Sequence, residues 1–362
     1  MSTNDDLGPL LARVPNALRG SAAYHVPQPP VVRAKLDANE LPFALPPELH
    51  RGLANALADI SLERYPDPRA RELRAAVAAQ LGVAGDQLVF GNGSDELIAL
   101  LISAFAGPVL YPVPTFVYYR LAGTARGVPL VEVPTGPRFE LDEAAIERAI
   151  AEHRPSVVFL ALPNNPTGTL WRMEFALELA ARHRDLVVVS DEAYFAYSQR
   201  TSLPALAAHP NLVVMRTLSK IGMAGLRVGF TVSSPAIAAV LEKVRPPYNV
   251  GALAQRAATF LVRDASEWCA ARAAEVIAER GRLARALAAL PGADVFASEA
   301  NLVLVRVPRA TQIWQGLADR GIVVRNFDGP PGPLAGCLRI TVGTPAENAM
   351  LLAALDEIWA QV

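Results

Sequence analysis

The sequence predicts an α/β fold of three layers, a mainly parallel sheet covered by helices on both faces, with a smaller α/β domain attached. Three observations predict it. Short apolar runs such as Ser156–Ala161 and Leu186–Ser190 alternate with segments of helical periodicity, and uninterrupted apolarity marks strands buried on both faces. Residues able to do chemistry (Gly91–Glu96, Asn165, Asp191, Lys220) fall just beyond predicted strands, where open parallel sheets hold their ligands. After Phe230 the pattern changes to long alanine- and arginine-rich helices and then to a second set of strands.

Taken in order, residues 1–34 are broken by Pro15, Pro27, Pro29 and Pro30 and read as irregular, with Tyr24 and His25 standing out. Lys35–Pro42 reads as a polar turn carrying Asn39 and Glu40. A helix opens at Pro46 and runs to about Leu62, proline being well tolerated in a first turn. Arg64–Pro68 is a loop containing Tyr65, and Arg69–Leu81 is an amphipathic helix. Gln87–Phe90 is a strand, Gly91–Glu96 a glycine-rich turn with Ser94 or Asp95 as helix cap, and Leu97–Ala106 a helix. Strands follow at Val109–Tyr111, Leu130–Val133, Ser156–Ala161 and Leu186–Ser190, with a loop at 112–116 and a helix near Asp142–His153. Ser234–Val244 is helical, two long helices fill Ala252–Leu290, and strands at 302–306, 322–325 and 337–342 precede a closing helix, Pro345–Trp359. This divides the chain into an N-terminal segment (1–45) joining the small domain, a large domain (46–250), and an interdomain helix with the small domain (251–362).

Composition narrows the function. A length of 362 residues suits one large and one smaller domain, and 52% hydrophobic content provides a sizeable core. A net charge of −1 argues against nucleic acid or an anionic membrane as the main partner. Cys269 and Cys337 form neither a metal spacing nor a disulfide framework, so no metal is expected and a reducing, cytoplasmic setting is. The N-terminal stretch lacks a signal-peptide core, and the longest apolar run, Leu97–Leu110, is too short to span a bilayer.

The chemical centre of the sequence is Val213–Phe230, where one of only three lysines, against 31 arginines, sits in an apolar, glycine-punctuated segment. A partly desolvated amine has a lowered pKa and can attack a carbonyl to form a Schiff base. With Ser219 before it and Arg227 after it, Lys220 suits a cofactor bearing an aldehyde and a phosphate; alternatively it is a lysine that snorkels from a buried strand. Taken singly, Asp191 reads as a helix cap and Arg339 as a surface ion pair.

As a set, Gly91–Glu96, Asn164–Gly168, Asp191–Tyr194, Thr217–Lys220 and Ala224–Arg227 resemble the fold-type I, pyridoxal-phosphate-dependent aminotransferases. Leu36–Glu40, Arg64–Pro66 and Cys337–Gly343 narrow the resemblance to the histidinol-phosphate aminotransferases, over nearly the whole chain. The resemblance implies that Lys220 carries pyridoxal 5'-phosphate and moves the proton, and that Asp191 pairs with the ring nitrogen. It implies that Asn165 and Tyr194 bond the ring oxygen, and that Phe116 stacks where the family usually has tyrosine. The phosphate would meet the backbone N–H groups of Ser94 and Asp95, the side chains of Ser219 and Arg227, and Tyr65 from the second subunit of a homodimer. Tyr24, Asn39, Arg325 and Arg339 would receive the substrate. The implied reaction exchanges an amino group between histidinol phosphate and 2-oxoglutarate, yielding glutamate, in histidine biosynthesis. An aromatic amino acid aminotransferase, a threonine-phosphate decarboxylase and a non-catalytic cofactor-binding protein are the alternatives.

Overall fold

The computed structural model describes residues 8–19, 31–329 and 331–360. Its strands are β1 (Ala34–Leu36), β2 (Leu88–Asn92), β3 (Val109–Val113), β4 (Leu130–Pro134), β5 (Val157–Ala161) and β6 (Val187–Asp191). They continue with β7 (Leu212–Thr217), β8 (Val228–Ser233), β9 (Asp294–Val295), β10 (Leu302–Arg306), β11 (Ile322–Asn326) and β12 (Cys337–Thr341). The helices are α1 (Gly8–Leu11), α2 (Asn16–Arg19), α3 (Pro47–Ala58), α4 (Arg71–Leu81), α5 (Gly93–Ala104), α6 (Tyr118–Arg126) and α7 (Glu143–His153). They continue with α8 (Met173–Arg182), α9 (Phe195–Ser198), α10 (Pro235–Val244), α11 (Ala252–Asp264), α12 (Ser266–Ala288), α13 (Ala310–Asp319) and α14 (Pro345–Trp359). Among the described residues, no helix is long and apolar enough to cross a membrane.

The larger sheet has the order β2-β8-β7-β6-β5-β3-β4. Only β8 runs against its neighbours; the remaining pairs are parallel. Successive side chains of a strand point to opposite faces. Val157 and Phe159 accordingly enter the core beneath α5, α6 and α10, while Val158 and Leu160 enter the core beneath α4, α8 and α11. With both faces covered, alternation between apolar and polar is lost, which is why these strands read as continuous apolar runs.

The second sheet, β1-β11-β12-β10-β9, packs on α12, α13 and α14. Thr344 and Glu347 form a reciprocal capping box at the start of α14, so its N-terminus is specified by the local sequence. Cys269 at the start of α12 belongs to the core of the large sheet, whereas Ala273, Val276, Leu283 and Leu287 belong to that of the small one. One stripe of a single helix thus ties the two cores together.

Two expectations need correction. Lys35 and Leu36 belong to β1 rather than to a turn, because Ala34–Leu36 pairs in parallel with Ile322–Val324, a partner far along the chain. The helix expected from Leu97 begins at Gly93, and Asn92 rather than Ser94 or Asp95 is its cap residue. Gly93 takes φ +77°, a left-handed value that glycine adopts without steric cost, so one residue reverses the chain and no loop is needed.

Candidate active site

Parallel strands bring their carboxyl ends to one edge. Ala161, Asp191 and Met215 are mutual register partners across β5, β6 and β7, which places Asp191 at that edge as the last residue of β6. Strand β7 ends at Thr217, whose hydroxyl accepts the Ser219 N–H at 3.2 Å and starts a 3-10 turn, Leu218–Lys220. Strand β2, reached through antiparallel β8, delivers α5 to the same edge. Between them lies a cavity of about 380 Å³ lined by Ser94, Asp95, Phe116, Asn165, Asp191, Tyr194, Ser219, Lys220 and Arg227 among others. All nine of these sequence-predicted residues therefore converge.

Lys220 is half-buried and lines this cavity. Its Nζ donates to the Ala38 carbonyl at 3.1 Å, and the Tyr197 hydroxyl donates to its own carbonyl. Desolvation by the surrounding protein lowers its pKa to about 8, helped by the charges of Arg339 and Arg227 and opposed by Glu40 and Asp95. Asp191 is buried on the cavity floor. Burial raises its carboxyl to about 6, although the Tyr119 hydroxyl donates to Oδ2 at 2.5 Å and the Ala193 N–H donates to Oδ1 at 3.1 Å.

The N-terminus of α5 makes an anion cradle. No side chain caps it, so its first N–H groups and the positive end of the helix dipole remain directed outward. Arg227 closes the cradle, donating to Ser219 Oγ at 3.3 Å and to Asp95 Oδ2 at 3.0 Å. The space is tightly cut: a Cβ on Gly93 would stand 2.5 Å from Arg227 Nη2, and one on Gly229 would stand 2.9 Å from the Ser94 nitrogen.

The small sheet reaches in from the other side. Arg339 on β12 donates to Asn165 Oδ1 at 2.6 Å and to the Asp37 carbonyl. That commits the carbonyl oxygen of the Asn165 amide, so only its N–H groups can bond a ligand oxygen. Asn39, buried and at φ 53°, donates to the Tyr194 hydroxyl at 2.9 Å, which leaves that hydroxyl its own proton to donate. Asn39 is held in turn by Thr341, which takes its backbone N–H at 2.9 Å.

Among the described residues, Tyr65 and Arg325 are two sequence-predicted residues that do not line the cavity. Tyr65 is 81% exposed and stacks on Tyr248 with ring centroids 4.6 Å apart, outside this cavity. Arg325 does not line the cavity; it lies on β11 as the register partner of Arg339. Tyr24 lies outside the described residues. Conversely, sequence reading passed over Tyr119 and Tyr197, which lie in no motif, and gave no role of their own to Thr217 and Ala38, which lie within the Thr217–Lys220 and Leu36–Glu40 segments.

A second, larger cavity of about 610 Å³ lies behind the Lys220 turn. Its ionised pair, Glu192 and Arg216, is satisfied internally at 2.9 Å, with Thr201 completing the network. Neither Lys220 nor Asp191 lines it, so size does not identify the site here.

The residues of the smaller cavity fit pyridoxal 5'-phosphate. An amine with a lowered pKa faces it, a buried carboxylate stands on its floor, and an uncapped helix end with Ser219 and Arg227 stands at one side. Phe116 supplies an aromatic wall.

Comparison with known proteins agrees. The profile of the family described as aminotransferase class I and II matches residues 33–355. The chain is 45% identical to a curated histidinol-phosphate aminotransferase of Methylibium petroleiphilum over 97% of this chain and 96% of that protein. It is 44% identical to the one of an Acidovorax strain, over 96% of this chain and 97% of that protein. Among solved structures, the histidinol-phosphate aminotransferase of Sinorhizobium meliloti in complex with pyridoxal-5'-phosphate superposes with a TM-score of 0.84. It is 26% identical, with 97% of this chain and 98% of that one covered.

Proposed function

The chain belongs to the aminotransferase class I and II family, and from that premise we propose that it moves the amino group of histidinol phosphate onto 2-oxoglutarate in histidine biosynthesis. The observation that carries the reaction class is the pairing, in one cavity, of an amine at about pKa 8 with a buried carboxylate on the floor. The substrate is supported by near-full-length relatives of about 45% identity that bear that name. The amine-bearing carbon of the donor becomes a ketone, and the keto carbon of the acceptor becomes an amine.

Pyridoxal 5'-phosphate, when bound, supplies an aldehyde carbon for covalent attachment and a protonated ring that draws electrons from the substrate. The Lys220 amine would attach it and would hold and return the proton that is moved. Asp191 would hold the ring nitrogen protonated, because a nearby carboxylate favours the charged partner. Asn165 and Tyr194 donate to the ring oxygen. The Ser94 and Asp95 N–H groups, Ser219 and Arg227 bind the phosphate, and Phe116 excludes water from one ring face.

For the substrate, Arg339 clamps the carboxylate of glutamate or 2-oxoglutarate. Histidinol phosphate lacks that carboxylate and offers a phosphate instead. Arg339 and Arg325 are direct cross-strand partners. Like charges opposite one another repel, and an anion held between them relieves the repulsion. The resemblance adds Asn39 and Tyr24 as residues that would contact the substrate. A homodimer completes the phosphate site with Tyr65, whose exposure away from its own cavity supports a role toward a second copy.

The test is glutamate formation from 2-oxoglutarate with histidinol phosphate, phenylalanine or tyrosine as donor, alongside carbon dioxide release from threonine phosphate. Histidinol phosphate should be favoured by at least about tenfold in kcat/KM. Release of carbon dioxide without glutamate would replace transamination by decarboxylation.

A further inference from the structure

We propose that Tyr119 is a positioning residue: its hydroxyl, by donating to Oδ2 of Asp191, keeps that carboxylate ionised and fixed at the floor of the cavity. The inference rests on the reading of Asp191 as the partner of the cofactor ring, and it names what makes a buried carboxylate able to serve.

The geometry is that of a group held from all sides. Tyr119 is wholly buried in the first turn of α6. Its ring stacks on Phe159 at 4.7 Å and 16° and meets Phe116 edge-on at 5.8 Å and 87°. Its backbone N–H donates to the Phe116 carbonyl at 3.2 Å, so the residue on the cavity wall and the one behind Asp191 are fixed together. Packing alone does not call for a hydroxyl here. Phenylalanine would fill the same aromatic nest without the cost of burying a polar group. The hydroxyl bonds Asp191 at 2.5 Å, a distance typical of an O–H to an ionised oxygen.

The charges around Asp191 make the contact consequential. Burial, Glu192 just after the end of β6 and Asp95 from α5 all favour the neutral acid. Opposing them are the Tyr119 hydroxyl from α6 and the Ala193 N–H. Tyr119 itself is pushed well above the ordinary tyrosine value by burial and by the Asp191 charge, so it remains the donor throughout the working range. Tyr194 also faces the pair, and Lys220 and Arg227 lie across the cavity.

The decisive experiment compares full-length wild type, Tyr119→Phe and the packing control Phe159→Leu by carbon-13 NMR of labelled aspartate carboxyls, with Asp191→Asn identifying the resonance. In cofactor-free protein, Tyr119→Phe should raise the Asp191 midpoint by about one pH unit, and Phe159→Leu should leave it in place. In the loaded enzyme, Tyr119→Phe should lower kcat by about tenfold with little change in KM, and move the acidic limb of the pH profile upward. An unmoved Asp191 midpoint in Tyr119→Phe, or an equal shift in Phe159→Leu, overturns the proposal. Should Tyr119→Phe not fold, the Tyr119 hydroxyl proton of wild type must titrate with the Asp191 midpoint, and a silent proton overturns it equally. Failure of Lys220 to retain cofactor after borohydride reduction would instead overturn the cofactor reading, since the carboxyl titration needs no cofactor.

Discussion

Lys220 illustrates how a single residue acquires reactivity from its surroundings. An amine that titrates near 10.5 in water is brought to about 8, burial contributing most and Arg339 next, against the opposing pull of Glu40 and Asp95. Only the unprotonated amine attacks an aldehyde, so lowering the pKa raises the competent fraction at neutral pH. Attachment of pyridoxal phosphate to cofactor-free protein should therefore accelerate about tenfold per pH unit below 8 and level off above it. Stopped-flow absorbance across pH measures this, and a profile rising to pH 10 would contradict the buried setting of the amine. Lys220→Ala should bind the cofactor without fixing it on borohydride reduction and should lose nearly all turnover. Turnover at the wild-type rate would remove Lys220 from the mechanism.

At the scale of elements, the site depends on a strand that turns into a helix within one residue. Gly93 makes that reversal at φ +77° and lies under the Arg227 guanidinium, so α5 presents its free N–H groups at the cavity edge. A side chain there meets both backbone strain, ~1–3 kcal/mol, and the head of Arg227. Gly93→Ala should weaken pyridoxal phosphate binding by about tenfold or more, measured by fluorescence titration of cofactor-free protein. Gly225→Ala makes the matched control, because a Cβ there meets nothing within 4 Å. Equal affinity in the two variants would show that the helix end does not hold the phosphate. The cross-strand pair Arg325 and Arg339 belongs to this scale too, since the antiparallel register of β11 and β12 sets two cations opposite one another.

At the scale of the molecule, the site is assembled between two sheets. Lys220, Asp191 and α5 come from the large one, while Arg339 and the Asn39 segment come from the small one. Stable placement of one against the other rests on α12 and on Tyr194 and Tyr197, which lie between β6 and β7 of the large sheet in sequence yet pack into the small-sheet core. In the proposed homodimer a second copy would be the remaining component. If Tyr65 completes a neighbour's phosphate site, mixing Lys220→Ala chains with Tyr65→Ala chains gives hybrid dimers with one site doubly altered and one intact. Activity should reappear on mixing, to about a quarter of wild type when exchange is complete and each hybrid holds one working site. No recovery, with exchange demonstrated by mass, would place Tyr65 in its own chain's site.

The sequence by itself determined the layered fold and most of the cavity wall. Buried parallel strands leave continuous apolar runs, and their ends are where polar residues such as Asp191 and Lys220 can gather without entering the core. Burial and periodicity are local properties, so they are written locally. The tertiary structure decided which distant groups meet. Strand β1 acquires its identity only by pairing with β11, the amide of Asn165 is committed to an arginine 174 residues away, and Tyr119 reaches Asp191 across 72 residues. A hydroxyl in an aromatic run has no periodicity and no neighbour in sequence to reveal its partner. Its role follows from the free energy of leaving it unbonded once the surrounding strands and helices have closed around it, and that term exists only in the folded chain.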